Sequence, residues 1–287
     1  MPSGQGAAGG IGAAAVVEFL NADCKVTGHD VREIENAPGE PAENFYAVKG
    51  DMSDPEQIEA CFKAAQDHFG QPVNMLIANA GVSDESHAWP IWKIPLDVWE
   101  KRYHNNVRGT FLTIKYFLLA AEAWQEKNGR ELDNLSIVLT GSETAVYGQA
   151  GHSDYASGKA GLQYGLVRSV KNEIVRLNRK ARINAVAPGW IDTAMNYGRL
   201  DNAHEYWFEA QATVPMAKIG EPEDIARTMA FLASHRTAGH ITGLCISVDG
   251  GMEGRIVWPE KMLNGAVPIT VHTHPDISQT QENTRFN

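Results

Sequence analysis

The chain has 287 residues, of which 43% are hydrophobic and 21% charged, and it carries a net charge of −10. That composition excludes wholesale disorder and fibrous repeats, and the length sets a prior of one or two domains. The acidic balance argues against nucleic acid and anionic membrane surfaces as partners.

In chain order, the first signal is a crowd of glycines at Gly4, Gly6, Gly9, Gly10 and Gly12, leading into a helix over residues 11–20. A strand follows over 24–28, ending at Asp30, and another over 44–49, closed by Gly50-Asp51. Apolar residues at helical spacing (Ile58, Cys61, Phe62, Ala65, Phe69) predict a helix over 54–69. A strand over 73–78 runs into Asn79-Ala80-Gly81. Next come a long helix over 96–124, a strand over 135–140 and a second long helix over 153–179. A strand over 182–187 stops at Pro188-Gly189. A helix over 223–233 and a last strand over 240–248 then lead to Asp249-Gly250-Gly251. Strand and helix in alternation predict an α/β fold, a single-domain, doubly wound parallel sheet that binds ligands at the carboxyl ends of its strands. No repeat or linker divides the chain, so residues 1–251 are expected as one catalytic domain. Residues 252–287 are expected as a partly mobile C-terminal extension. No apolar run reaches the roughly 18 residues of a bilayer span, and without a basic region followed by an apolar core at the start no secretory signal is expected. Cys24, Cys61 and Cys245 lie far apart, without metal-ligand spacing or a disulfide framework. They are expected as buried thiols of a cytoplasmic protein that holds no metal.

Glycine lets a backbone turn tightly and approach a pyrophosphate, while the helix behind it offers free N–H groups. Two registers fit: Gly4-x-Gly6-x-x-Gly9, and Gly6-x-x-x-Gly10-x-Gly12. Asp30 ends the next strand about twenty residues on, where an acid accepts hydrogen bonds from ribose hydroxyls. A carboxylate there repels a 2′-phosphate, so NAD(H) is expected over NADP(H), with Arg32 close enough to oppose that choice.

Tyr155 and Lys159 stand four apart, on one face of a predicted helix. A lysine ammonium beside a phenol favours phenolate, which lets a tyrosine exchange protons near neutral pH. Ser142, just past the strand over 135–140, is placed to point its hydroxyl at the same carbonyl oxygen.

With these residues the chain resembles the short-chain dehydrogenase/reductase family from about Gly4 to Gly251. The resemblance implies a glycine turn of Gly6, Gly10, Ile11 and Gly12, an adenine contact at Asp51 and Met52, and the Asn79-Ala80-Gly81 turn. It also implies a catalytic tetrad of Asn106, Ser142, Tyr155 and Lys159, with Asn106 positioning a water that relays protons from Lys159. Pro188, Gly189, Ile191 and Thr193 match the loop that holds the nicotinamide. The activity implied is NAD(H)-dependent interconversion of a secondary alcohol and a carbonyl in a homotetramer or homodimer. Substrate candidates are Glu143, His152, Trp190 and Tyr197, with Val146, Tyr147, Met195, Asn196 and Trp207 nearby, and Trp89 and Trp92 as one wall.

Two departures from that family stand out. Residues continue well past Gly251, and only Met1-Pro2-Ser3 precede Gly4, where a full central strand belongs. Pro2 also lacks a ladder donor. The expectation is a truncated first strand that leaves two ladders unpartnered and marks the sequence as incomplete. That favours, as an alternative, a redox-silent binding or scaffold protein; a lyase or cyclase reusing the tetrad without net redox is a further alternative.

Overall fold

The computed structural model describes residues 2–83, 89–193, 210 and 212–252. In chain order its main elements are β1 (Pro2–Gln5), α1 (Gly10–Asn21), β2 (Val26–Asp30), β3 (Phe45–Lys49), α2 (Pro55–Phe69) and β4 (Met75–Ala78). They continue with α3 (Leu96–Tyr103), α4 (Gly109–Asn128), β5 (Leu135–Thr140), α5 (Ser153–Ala160), α6 (Val167–Glu173), β6 (Ala181–Pro188), α7 (Pro222–Ala233) and β7 (Cys245–Val248). The seven strands form one sheet in the order β3-β2-β1-β4-β5-β6-β7, and every pair is parallel.

A parallel sheet needs cover on both faces, and its strands therefore read as apolar runs. Side chains alternate across the strands to supply two cores. Leu76, Ile137 and Ile183 meet Ile58 and Phe62 of α2 and Phe117 of α4 on one face. Ile77, Val138 and Val186 meet Val16 and Phe19 of α1 and Ile225 and Met229 of α7 on the other. Local chemistry starts and stops the helices. Asp54 accepts from the N–H groups of Glu56 and Gln57 at the head of α2, and Gly70 closes it with φ +70°. Glu221 and Asp224 form a reciprocal capping box at α7, with Pro222 in its first turn.

The expectation of unpartnered ladders is overturned at the N-terminus. Pro2–Gln5 occupies the central place, pairing Ser3 with Thr27 of β2 and with Leu76 of β4. Four residues suffice because ladder bonds are made by the backbone, so a strand of Pro, Ser, Gly and Gln pairs as an apolar one does. Pro2 is the first residue of the strand, a position where its missing donor is tolerated.

Three further differences are physical. Each long helix is interrupted by a π segment, at His104–Arg108 and at residues Gly161–Leu166. The last strand is shorter than expected, because Ile241 N–H turns back to Ala238 O and Gly243 takes φ +81°. Of the three cysteines only Cys61 is buried, its thiol pushed up to about 12 by desolvation, while Cys24 and Cys245 are half-buried. No described helix is long and apolar enough to cross a membrane.

Arg182, near the start of β6, ties that strand to the end of α7 and the turn beyond it. Its buried guanidinium donates to the carbonyls of Leu232, Ala233 and Ala238 at 2.5, 2.8 and 3.0 Å. Arg182→Met strands these acceptors. The expected cost is about 3 kcal/mol or more, read as a thermal midpoint lower by roughly 6–12 °C.

Candidate active site

The carboxyl ends of the strands open into one cleft of about 720 Å³. One half is glycine-lined. Gly6 and Gly10 take φ +69° and +51°, and a Cβ on Gly12 would sit 2.0 Å from Gly6 O. Gly9 is extended at φ −174°, which any residue adopts. The backbone therefore selects the register of Gly6, Gly10 and Gly12. Gly6, Gly10 and Ile11 line the cleft, with Gly12 packed beneath them.

Asp30 lines the same half. Its Oδ2 accepts from Ala8 N–H at 3.0 Å, and its Oδ1 from Arg32 N–H and Nε at 2.9 and 3.3 Å. Burial alone would raise its pKa. The backbone and guanidinium of Arg32 and the Ala8 N–H outweigh that and hold the carboxyl below its ordinary value. Asp51, Met52, Asn79, Ala80 and Gly81 also line the cleft. These observations fit a dinucleotide: close-approach glycines, a helix N-terminus behind them and an ionised acid beyond.

The other half holds Ser142, Glu143, Tyr155, Lys159, Pro188, Gly189, Trp190, Ile191 and Thr193. Lys159 is buried and donates to Thr140 O at 2.7 Å, with Nζ 5.6 Å from the Tyr155 ring centroid. Desolvation lowers its pKa to about 8. Ser142 N–H donates to Gln163 Oε1 at 2.8 Å, and a Cβ on Gly141 would meet that same oxygen at 2.0 Å. Ser142 Oγ donates to Glu143 Oε2 at 2.8 Å and accepts from Thr144 Oγ1 and N at 2.9 and 3.2 Å.

Two expected residues have side chains engaged by backbone groups, although a Cβ on Gly81 would stand 3.4 Å from Asn106 Oδ1 and 3.5 Å from Lys159 Nζ. Asn106 is in the first π segment, and its side chain is committed to the backbone of Val82: Val82 N–H donates to Oδ1 at 2.8 Å, and Nδ2 donates to Val82 O at 2.9 Å. Its neighbour Asn105 is the one that lines the cleft. His152 is buried, with Nδ1 3.1 Å from Ala150 O, and is absent from the described cleft lining. Tyr197, Met195, Asn196, Trp207 and the extension beyond Met252 lie outside the described residues.

Sequence reasoning missed the supports. Gln163 follows Lys159 at helical spacing, the one signal that could have found it. Arg102 and Asp154 form a buried ion pair at 3.5 Å. Asp154 Oδ1 also accepts from Tyr155 N–H, and Arg102 Nη1 reaches Val82 O at 3.4 Å. The pair thus joins α3, the turn after β4 and the start of α5.

A family model described as enoyl-(acyl carrier protein) reductase matches residues 6–253. The 3-oxoacyl-[acyl-carrier-protein] reductase MabA of Mycobacterium tuberculosis is 32% identical over 244 residues, covering 85% of this chain and 88% of that protein. The 3-oxoacyl-[acyl-carrier-protein] reductase FabG of Vibrio cholerae is 31% identical over 249 residues, covering 86% and 94%. The ligand-free structure of Thermoplasma acidophilum aldohexose dehydrogenase superposes with a TM-score of 0.75 at 26% identity, covering 90% of this chain and 96% of that one.

Lys159 supplies a direct test of the site's electrostatics. Its folded pKa, about 8, lies below the ordinary 10.5. Between these values the unfolded chain binds more protons, so this residue's contribution to stability rises with pH across that window. In carbon-13 NMR of lysine-labelled protein, one side chain should titrate near pH 8 and vanish in Lys159→Met.

Proposed function

The chain belongs to the short-chain dehydrogenase/reductase family of oxidoreductases, and on that premise we propose that it interconverts a secondary alcohol and a carbonyl with NAD(H). The observation that carries this is Lys159, desolvated and 5.6 Å from the Tyr155 ring in the cleft that also holds Ser142 and the glycine turn. Bound NAD(H) supplies hydride exchange, and the protein supplies orientation and proton transfer. Tyr155 is the acid/base: it takes the alcohol proton in oxidation and returns one to the carbonyl oxygen in reduction. Lys159 favours its phenolate. Ser142 hydrogen-bonds the reacting oxygen. Asn106 acts through Val82, holding the turn after β4 against the π segment. Asp51 and Met52 would hold the adenine end of the cofactor, and Pro188, Gly189, Ile191 and Thr193 the nicotinamide end. The substrate class is a small carbonyl, in line with the 3-oxoacyl and aldohexose names of the relatives.

The redox-silent alternative loses its basis, since it depended on a missing first strand and Pro2–Gln5 pairs on both sides. Assembly into a homodimer or homotetramer is proposed from the apolar residues Phe111, Leu119 and Val175, exposed on the outer helices. Light scattering that returns only monomer at micromolar concentration refutes it.

NAD(H) is proposed over NADP(H) because Asp30 is held ionised where a 2′-phosphate would sit, and because its ion pair occupies Arg32. The expected preference for NADH in kcat/KM is at least about tenfold, or roughly 1.4 kcal/mol. Asp30→Ser frees Arg32 and should reverse it; equal use of both cofactors by the wild type removes Asp30 from this role. Tyr155→Phe should abolish NADH oxidation by a ketone panel while NADH still quenches tryptophan fluorescence with nearly the wild-type Kd. Retained turnover in that variant would show that the tyrosine is not the acid/base.

A further inference from the structure

Ser142 has one hydroxyl proton and two lone pairs. All three are used within the protein: the lone pairs accept from Thr144 N–H and Oγ1, and the proton goes to Glu143 Oε2. A serine so committed has nothing left to donate to a carbonyl. We infer that Glu143 is a positioning residue that governs the Ser142 proton, holding it as a carboxylate and releasing it to a carbonyl substrate once protonated. The inference rests on the assignment of Ser142 made above.

The surroundings of Glu143 support this. The residue is anchored by its own N–H, which donates to Pro188 O at 3.1 Å. Its carboxyl is half-buried and lines the cleft. The Asp249 charge after β7 acts on it, and Tyr155 and Lys159 of α5 line the same cleft. Lys159 is directed to Thr140 O, and no described cation forms an ion pair with Glu143. Burial, and the Asp249 charge to a lesser degree, raise its pKa above the ordinary carboxyl value.

A hydrogen bond to an ionised acceptor is roughly twice as strong as one between neutral groups. A neutral carbonyl therefore competes poorly with the Glu143 carboxylate for the Ser142 proton, and on even terms with the neutral acid. In reduction, hydride passes to the carbonyl carbon and the Tyr155 proton to its oxygen. Ser142 contributes only a hydrogen bond, and Glu143 exchanges nothing with substrate. The consequence is directional: reduction is favoured at lower pH by a group other than the tyrosine.

The test has two arms. In carbon-13 NMR of glutamate-labelled protein, the Glu143 carboxyl, assigned by its loss in Glu143→Asp, should titrate at higher pH in Ser142→Ala than in wild type, because the bond to its ionised form is gone. An unmoved midpoint overturns the inference without reference to turnover. In the kinetic arm, NADH-dependent reduction of diacetyl is followed across about pH 5 to 9. Wild-type kcat/KM should fall as Glu143 ionises. Glu143→Gln removes the charge, and Glu143→Asp withdraws it from Ser142; both should flatten that fall, with an advantage over wild type of about tenfold at the alkaline end. Variants that keep the wild-type profile sink the inference and leave the tetrad standing. Full turnover by Ser142→Ala instead overturns the assignment of Ser142 itself.

Discussion

Every strand of the sheet runs the same way, so every strand delivers its carboxyl end to one edge. The chain crosses outward from β1 toward β3 and then returns to continue from β4 toward β7. Helices on opposite faces leave a crevice where the direction reverses. All else at the site depends on that reversal. It sets the glycine turn after β1 beside the Asn79-Ala80-Gly81 turn after β4, with the Asn79 amide 3.2 Å from where a Gly6 Cβ would stand. It also brings Ser142 after β5 and the Pro188 loop after β6 to the same rim.

Inside that crevice the chemistry is built from desolvation and from counted hydrogen bonds. Lys159 is buried and donates to Thr140 O, and desolvation lowers the pKa of its ammonium to about 8. Thr140 itself is fixed through Oγ1, which donates to Asn79 Oδ1 at 2.9 Å. Ser142 is fixed through its backbone by Gln163 and through its hydroxyl by Thr144 and Glu143. The buried Arg102–Asp154 pair adds stiffness where Tyr155 begins its helix. A buried pair of this kind is weak evidence of net stability, but losing one partner leaves an uncompensated charge.

The π segment at His104–Arg108 shows how backbone irregularity serves position. A π turn inside an α-helix shifts the residues around it, and such turns often mark functional sites. Here it aims the Asn106 amide at both polar groups of Val82 and puts Asn105 on the cleft wall. Thr110 Oγ1 donates to Asn106 O at 2.7 Å, taking up a carbonyl within the helix.

The alternation of strand and helix, the spacing of Tyr155 and Lys159 and the acid at Asp30 were readable from the chain alone, because each is a local pattern with a fixed geometric meaning. A period of four puts two side chains on one helix face in any fold. The first strand was not readable: its four residues carry no apolar signature, and only β2 and β4 on either side give it a reason to extend. The choice between two glycine registers was likewise open until φ at Gly6, Gly9 and Gly10 separated them. Nor could the sequence tell that the Asn106 side chain would bond the backbone of Val82, or that His152 would be buried with Nδ1 against Ala150 O. Those outcomes depend on which partners the packed helices bring within hydrogen-bonding distance, and that is a property of the tertiary structure. Local periodicity determined the architecture and the Tyr155–Lys159 pair, and the family resemblance supplied Asn106 and most of the cofactor candidates. Burial and long-range hydrogen bonding decided which side chains remain available to act.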